Sequence, residues 1–169
     1  MKHKAGLIFL VLFALLLAAC SAASDLLSKD DPIQPGDKIG DFVITTAEPG
    51  EATFVWDLDC VKQGSGENYA CKSEVGAPVN VSMGVYDETL SGKLDSLWSD
   101  QIYEMWIDDR PVDLEAFGPI DLMHPRAGPM RAWNVVLVAS EPGEITTRDK
   151  GVVDSDPFEE TSTFIFSAP

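Results

Sequence analysis
Arg131-Ala132-Trp133-Asn134-Val135-Val136-Leu137-Val138-Ala139 is the clearest strand signal in the chain. Valine, leucine and tryptophan crowd a segment that holds neither glycine nor proline, and such residues suit a pleated, half-buried surface. Glu141-Pro142-Gly143-Glu144 then has turn chemistry, and Ile145-Thr146-Thr147 resumes as strand. Two apolar runs joined by a short Pro-Gly turn define a β protein, because a helix would carry its apolar residues at three- and four-residue spacing.

The rest of the chain repeats this pattern. Ile39, Phe42, Val43 and Ile44 form a first strand, ended by Ala47-Glu48-Pro49-Gly50. In Ala52–Cys60 alternation places Phe54, Trp56, Leu58 and Cys60 on one face, with Cys60 turned to the core. Val79, Val81, Met83 and Val85 share a face in Ala77–Val85, and these two segments are expected to form a hairpin. Ile102–Asp108 and Glu160–Phe166 are further strands, and Asp108-Asp109-Arg110-Pro111 is a turn. The period changes only at Leu90, Leu94, Leu97 and Trp98, which describe one face of a short helix near 90–99 with Ser91 as N-cap. Gly118-Pro119, His124-Pro125 and Gly128-Pro129 make Glu115–Met130 an extended, irregular loop, since a residue before proline is biased out of the helical region. About seven short strands separated by Pro/Gly/Asp turns predict an all-β protein, an antiparallel β-sandwich, with a jelly roll as the alternative. Trp133–Thr147 resembles the closing strands of immunoglobulin-like domains, where one strand leads through Pro-Gly-Glu into another that finishes the sheet. The resemblance implies a topology class only, because Cys60 and Cys71 lie too close in sequence for the inter-sheet bridge of antibody domains.

The first twenty residues, MKHKAGLIFLVLFALLLAAC, have a different logic. Lys2, His3 and Lys4 precede an unbroken apolar run from Leu7 to Ala19, and small residues lead into Cys20. This is the layout of a secretory signal. The run falls short of the roughly 20 apolar residues that a spanning helix needs. Leu17-Ala18-Ala19-Cys20 resembles the lipobox of bacterial lipoproteins, whereas an unlipidated secretory signal requires no cysteine at the cut. The resemblance implies that residues 1–19 are removed and that Cys20 becomes the lipidated first residue, anchoring the chain to the membrane on the extracytoplasmic side of the cell envelope. Residues 20–37, broken by Pro32 and Pro35, are expected to form a flexible tether. Residues 38–169 are expected to form one sandwich domain.

With Cys20 committed to lipid, Cys60 and Cys71 remain, and outside the cytoplasm an even pair favours a disulfide. The chain carries 28 acidic against 12 basic residues, two of which, Lys2 and Lys4, belong to the leader. Such a surface repels phosphates, so nucleic acid is not an expected partner.

Catalytic signals are sparse. No Gly-x-Ser-x-Gly elbow occurs, and His124, the histidine beyond the leader, falls in the proline-rich loop and is expected at the surface. Paired carboxylates of a carbohydrate-active enzyme would have to converge in one cleft. No cofactor is expected. Calcium candidates are Asp154 and Asp156, with Asp57, Asp59, Asp108 and Asp109 beside them, but no EF-hand loop frames any of these. Of the tryptophans, Trp56, Trp98 and Trp133 have core-like settings. Trp106, with Tyr103 on the opposite face of its strand, is the candidate ligand platform. The expected function is a non-enzymatic binding, adhesion or structural module with a protein or glycan ligand. The alternative is a small carbohydrate-active or carbohydrate-binding domain.

Overall fold
The computed structural model describes residues 31–87, 92–124, 128–153 and 156–169. The chain opens with β1 (Lys38–Ile39), β2 (Phe42–Thr45) and β3 (Thr53–Phe54), then a 3-10 turn at Val55–Asp57. β4 (Asp59–Lys62), β5 (Asn68–Glu74), β6 (Val79–Asn80) and β7 (Gly84–Tyr86) precede the helix α1 (Leu94–Asp100). β8 (Ile102–Ile107), β9 (Arg110–Pro111), the one-turn helix α2 (Leu114–Phe117), β10 (Pro119–His124) and β11 (Gly128–Trp133) follow. β12 (Val136–Ala139), β13 (Gly143–Val153) and β14 (Asp156–Ser167) complete the fold.

These strands build three sheets, ordered β4-β5-β14-β13-β8-β9, β1-β2-β12-β6-β3 and β10-β11-β7. The first two form the expected sandwich. Phe42, Ile44, Val79 and Leu137 of the five-stranded sheet share one core with Met105, Ile107, Ile145, Phe164 and Phe166 of the six-stranded sheet. Phe42 meets Phe166 edge-on at 5.5 Å between ring centroids. The three-stranded sheet has its own small core of Phe54, Ile120, Met130 and Ala132.

The third sheet exists because the predicted strand 131–139 is interrupted. β11 ends at Trp133 and β12 begins at Val136; opposite them β6 ends at Asn80 and β7 begins at Gly84. The fully buried Asn80 and Ser82 plug this break. Asn80 Nδ2 donates to the Trp133 carbonyl at 3.1 Å, Asn80 Oδ1 accepts from the Ser82 N–H at 3.0 Å, and the one Ser82 hydroxyl proton is shared between Asn80 Oδ1, 2.8 Å away, and the Trp133 carbonyl. Asn134 turns outward to pair with both backbone groups of Ala47. The Trp133 carbonyl and the Ser82 N–H are thereby satisfied by side chains, and the backbone still bridges the break from the Val81 N–H to the Val135 carbonyl at 3.0 Å and from the Trp133 N–H to the Met83 carbonyl at 3.3 Å. At Gly84 the two chains come so close that a Cβ would lie 2.3 Å from the Arg131 carbonyl oxygen, which only glycine avoids.

Several expectations are corrected. The sandwich is mixed: β5 pairs parallel to β14, and β3 parallel to β6. The segments 52–60 and 77–85 meet only through that short parallel pairing. The antiparallel hairpin is instead β4–β5, and the 3-10 turn splits Ala52–Cys60 in two. The described residues of the stretch 115–130 are not irregular, since they hold most of α2 and pair β10 with β11, while 125–127 lie outside the described residues. Pro119 and Pro129 are tolerated there near strand ends. The turn at Glu141-Pro142 carries the chain from the five-stranded sheet to the six-stranded one, so β12 and β13 do not share a sheet. The helix falls at Leu94–Asp100 as the periodicity predicts, while Leu90 and Ser91 lie outside the described residues. The packed domain also starts before Lys38. Ile33 is fully buried, donates its N–H to the Pro111 carbonyl at 2.8 Å and accepts from the Asp113 N–H at 3.0 Å. The tether cannot extend to Asp37. No helix among the described residues is long and apolar enough to cross a membrane.

Cys60 and Cys71 are directly opposite on β4 and β5, with Cα atoms 4.0 Å apart, and form the expected disulfide. By closing a short loop, the bridge is expected to contribute about 2–3 kcal/mol through the unfolded chain. Urea unfolding with and without reductant should show that loss, and unchanged stability after verified reduction would contradict it.

Candidate functional site
The inner face of the six-stranded sheet changes character along its length. Phe166, Phe164, Ser162 and Glu160 follow one another on that face of β14, and Ile145, Thr147 and Asp149 do the same on β13. Register aligns these series: Ile145 is opposite Phe164, Thr147 opposite Ser162, and Asp149 opposite Glu160. β5 adds Cys71 beside Phe164 and Tyr69 beside Ser162. One end of the sheet is therefore apolar floor and the other is polar.

A cleft of about 350 Å³ opens over the polar end. Its floor is Tyr69, Glu160 and Ser162, with the Cys60–Cys71 bridge at one side. Met83, Gly84, Tyr86, His124 and Met130 line it from β7, β10, β11 and the β6–β7 connection, and Val55 and Trp56 of the 3-10 turn close it. Trp56 stacks on Phe54 at 4.6 Å between ring centroids, and His124 stands edge-on to Trp56 at 5.7 Å. The indole N–H of Trp56 is buried and finds no acceptor among the described residues. Among the described residues no lysine or arginine lines the cleft.

The acidic groups beneath it are perturbed. Asp149 is 3 % exposed, accepts a hydrogen bond from the Tyr103 hydroxyl and is approached by the Thr147 hydroxyl at 3.4 Å. Burial pushes its carboxyl up to about 7, further raised by the neighbouring Glu160 and partly offset by the Tyr103 and Thr147 hydroxyls. Burial likewise raises Glu160, against the Ser162 hydroxyl that donates to it at 3.3 Å. Desolvation, then the adjacent Asp149 charge, lifts the Tyr103 phenol well above its usual range. At the mouth, the exposed Lys62 ammonium pairs with Glu67 at 2.5 Å and stands 5.9 Å from the Tyr69 ring.

The candidate residues read from sequence fall elsewhere or lie at its rim. Tyr103 is no exposed platform: its ring packs against the main core, and its hydroxyl bonds Asp149 and accepts from the Met83 N–H at 3.1 Å. Trp106 is half-buried on the other face, with the Arg148 guanidinium 4.3 Å from its ring centroid, so the two rings form no common surface. Trp98 packs on Trp133 at 4.8 Å; Trp133 lies against the main core, whereas Trp98 is half-buried on α1 and belongs to neither core. Their neighbour Arg131 ties α1 to the three-stranded sheet through Asp95 and Asp121. His124 is not at the surface but 8 % exposed at the end of β10, with its Nε2 3.9 Å from Asp57. Asp156 is exposed at the start of β14, while Asp154 and Cys20 lie outside the described residues. Among the described residues no group of three or more histidine, cysteine or acidic side chains could hold a metal ion. Sequence reasoning missed Tyr69, Tyr86 and Glu160. Its available signal was the run Phe166-Phe164-Ser162-Glu160, a core face that turns polar where alternation requires apolar residues.

No protein-family profile and no characterised protein sequence matches the chain. A solved structure titled "Structure of PbICP-C in complex with falcipain-2" is similar over 71% of this chain and 100% of that chain, at 14% identity and a TM-score of 0.32. At that level the likeness carries no functional argument.

The buried carboxyl gives a signed prediction. Asp149 titrates near 3.8 in an unfolded chain and near about 7 in the fold, so the folded state holds the extra proton in between. Its favourable contribution is complete at acid pH and is lost as pH rises through about 7. Urea unfolding should show the native chain losing about 2–3 kcal/mol more than Asp149→Asn between about pH 5 and about pH 8. Equal losses in the two proteins would contradict a buried, proton-holding Asp149.

Proposed function
We propose that this chain is a non-enzymatic binding module of the cell envelope, held to the membrane by lipid on Cys20, with the cleft under the three-stranded sheet as its ligand site. The cleft is the observation that carries this reading. It is concave, largely apolar, lined by Trp56, Tyr69 and Tyr86, and carries few polar groups, which is the make-up of small-molecule sites. A carbohydrate-cleaving role is less well supported. Among the described residues Glu160 is the one carboxylate in the lining, and its partner in register, Asp149, is buried outside that lining. Glycan capture is also less well supported, because no tryptophan is among the exposed large apolar side chains. The envelope address rests on the leader and on Leu17-Ala18-Ala19-Cys20.

Two measurements test the two halves. Metabolic labelling with an alkyne fatty acid should mark the native chain and not Cys20→Ala, and equal labelling would refute the anchor. The neutral dye Nile red should bind at one saturable site and lose at least about tenfold in affinity when Ser162→Phe fills the floor. Unchanged dye binding by a Ser162→Phe protein that melts like the parent would place the ligand site elsewhere.

A further inference from the structure
Resting on the cleft as the binding site, we infer that its ligand is a small organic cation, an alkyl or quaternary ammonium ion carrying an apolar body. Three features of the cleft select that chemistry together. Trp56, Tyr69 and Tyr86 supply aromatic rings, whose negative faces attract cations and whose attraction grows as water is excluded. Glu160 places a half-buried carboxylate on the floor, and among the described residues no lysine or arginine joins it in the lining. A carboxylate in apolar surroundings is costly until an opposite charge joins it. Asp149, in register with Glu160 on the adjacent strand, puts a second acidic group under the same spot.

Lys62 does not fill that role. It pairs with Glu67 at the mouth, 2.5 Å away, stands 5.9 Å from the Tyr69 ring, and reaches Glu160 through its charge but not through an ion pair. Trp56 and Glu160 line the cleft beside it. A neutral apolar guest would gain nothing from Glu160. An anion would meet Glu160 and an acidic surface of 28 carboxylates against 12 basic residues, whereas the same field raises the local concentration of cations. Apolar bulk on the ligand matches Val55, Met83 and Met130 and the disulfide wall.

Calorimetry with benzyltrimethylammonium and its uncharged carbon isostere neopentylbenzene tests the inference on the full chain in detergent. The cation should bind at least about tenfold more tightly than the isostere. Glu160→Gln should remove most of that preference without weakening the isostere, and Tyr86→Ala, on an exposed edge strand, should weaken the cation several-fold. Both variants are first checked for parental melting and Nile red binding, so a misfolded protein is recognised. Equal binding of the two compounds, or an unaffected Glu160→Gln, overturns the cation assignment. If neither compound binds while Nile red does, the cation assignment falls and the cleft stands. If Nile red also fails to bind, the reading of the cleft as a site falls with it.

Discussion
The hydrogen bonds of Asn80 and Ser82 to one another and to the Trp133 carbonyl are the constraint on which the rest of the molecule depends. A strand ladder that ran unbroken through β6–β7 and β11–β12 would keep one continuous sheet over the six-stranded sheet. Breaking it leaves backbone donors and acceptors inside the protein, and each would cost about 1–3 kcal/mol if unpaired. Asn80 and Ser82 take up the Trp133 carbonyl and the Ser82 N–H, the Val81 and Trp133 N–H groups still reach the Val135 and Met83 carbonyls across the break, and Asn134 pairs with Ala47. The three-stranded sheet thereby packs on a small second core that it shares with Phe54 of β3, and its strands supply one side of the cleft. Gly84 holds β7 against β11 at a distance that no side chain permits.

What that sheet covers is set by register. β13 and β14 pair over their full lengths, so their polar positions cannot drift apart, and a one-residue slip would turn Phe164 and Ile145 out of the core. The strong apolar anchors at one end therefore fix the acidic pair at the other. Asp149 is tolerated in the interior because Tyr103 and Thr147 give it hydrogen bonds and because it can hold a proton. Tyr103 also accepts from the Met83 N–H, so the same phenol links the acidic floor to the connection that leads into β7. The geometry of the site and the protonation of its floor are coupled through that one side chain.

Much of the scaffold was legible in the sequence because its signals are local. The Leu94-Leu97-Trp98 spacing located α1, the alternation in Ile102–Ile107 located β8, and the even pair of cysteines left after Cys20 located the disulfide. The misses share a physical cause. β5 reads as Asn-Tyr-Ala-Cys-Lys-Ser-Glu, too polar for a strand on its own, and it is held by a parallel pairing to β14 almost a hundred residues away. The break at Asn134 sits inside the most strand-like segment of the chain and shows only when the polar pair Asn80 and Ser82 is set against it, with Asn80 opposite Val136. Trp106 and Tyr103 were known to face opposite ways, but parity does not say which face is inside. The cleft draws Tyr69, Tyr86, His124 and Glu160 from four separate segments, and only long-range register brings them together.

The central claim is that the three-stranded sheet is held down over an acidic floor, drying the carboxyls beneath it. Carbon-13 NMR titration of the Asp149 and Glu160 carboxyl groups in the oxidised domain reads this directly. The account predicts that both titrate above the ordinary carboxylate range, Asp149 near about 7. Both groups titrating as solvent-exposed carboxylates do would mean that the floor is wet and uncovered, and would contradict the cleft described here.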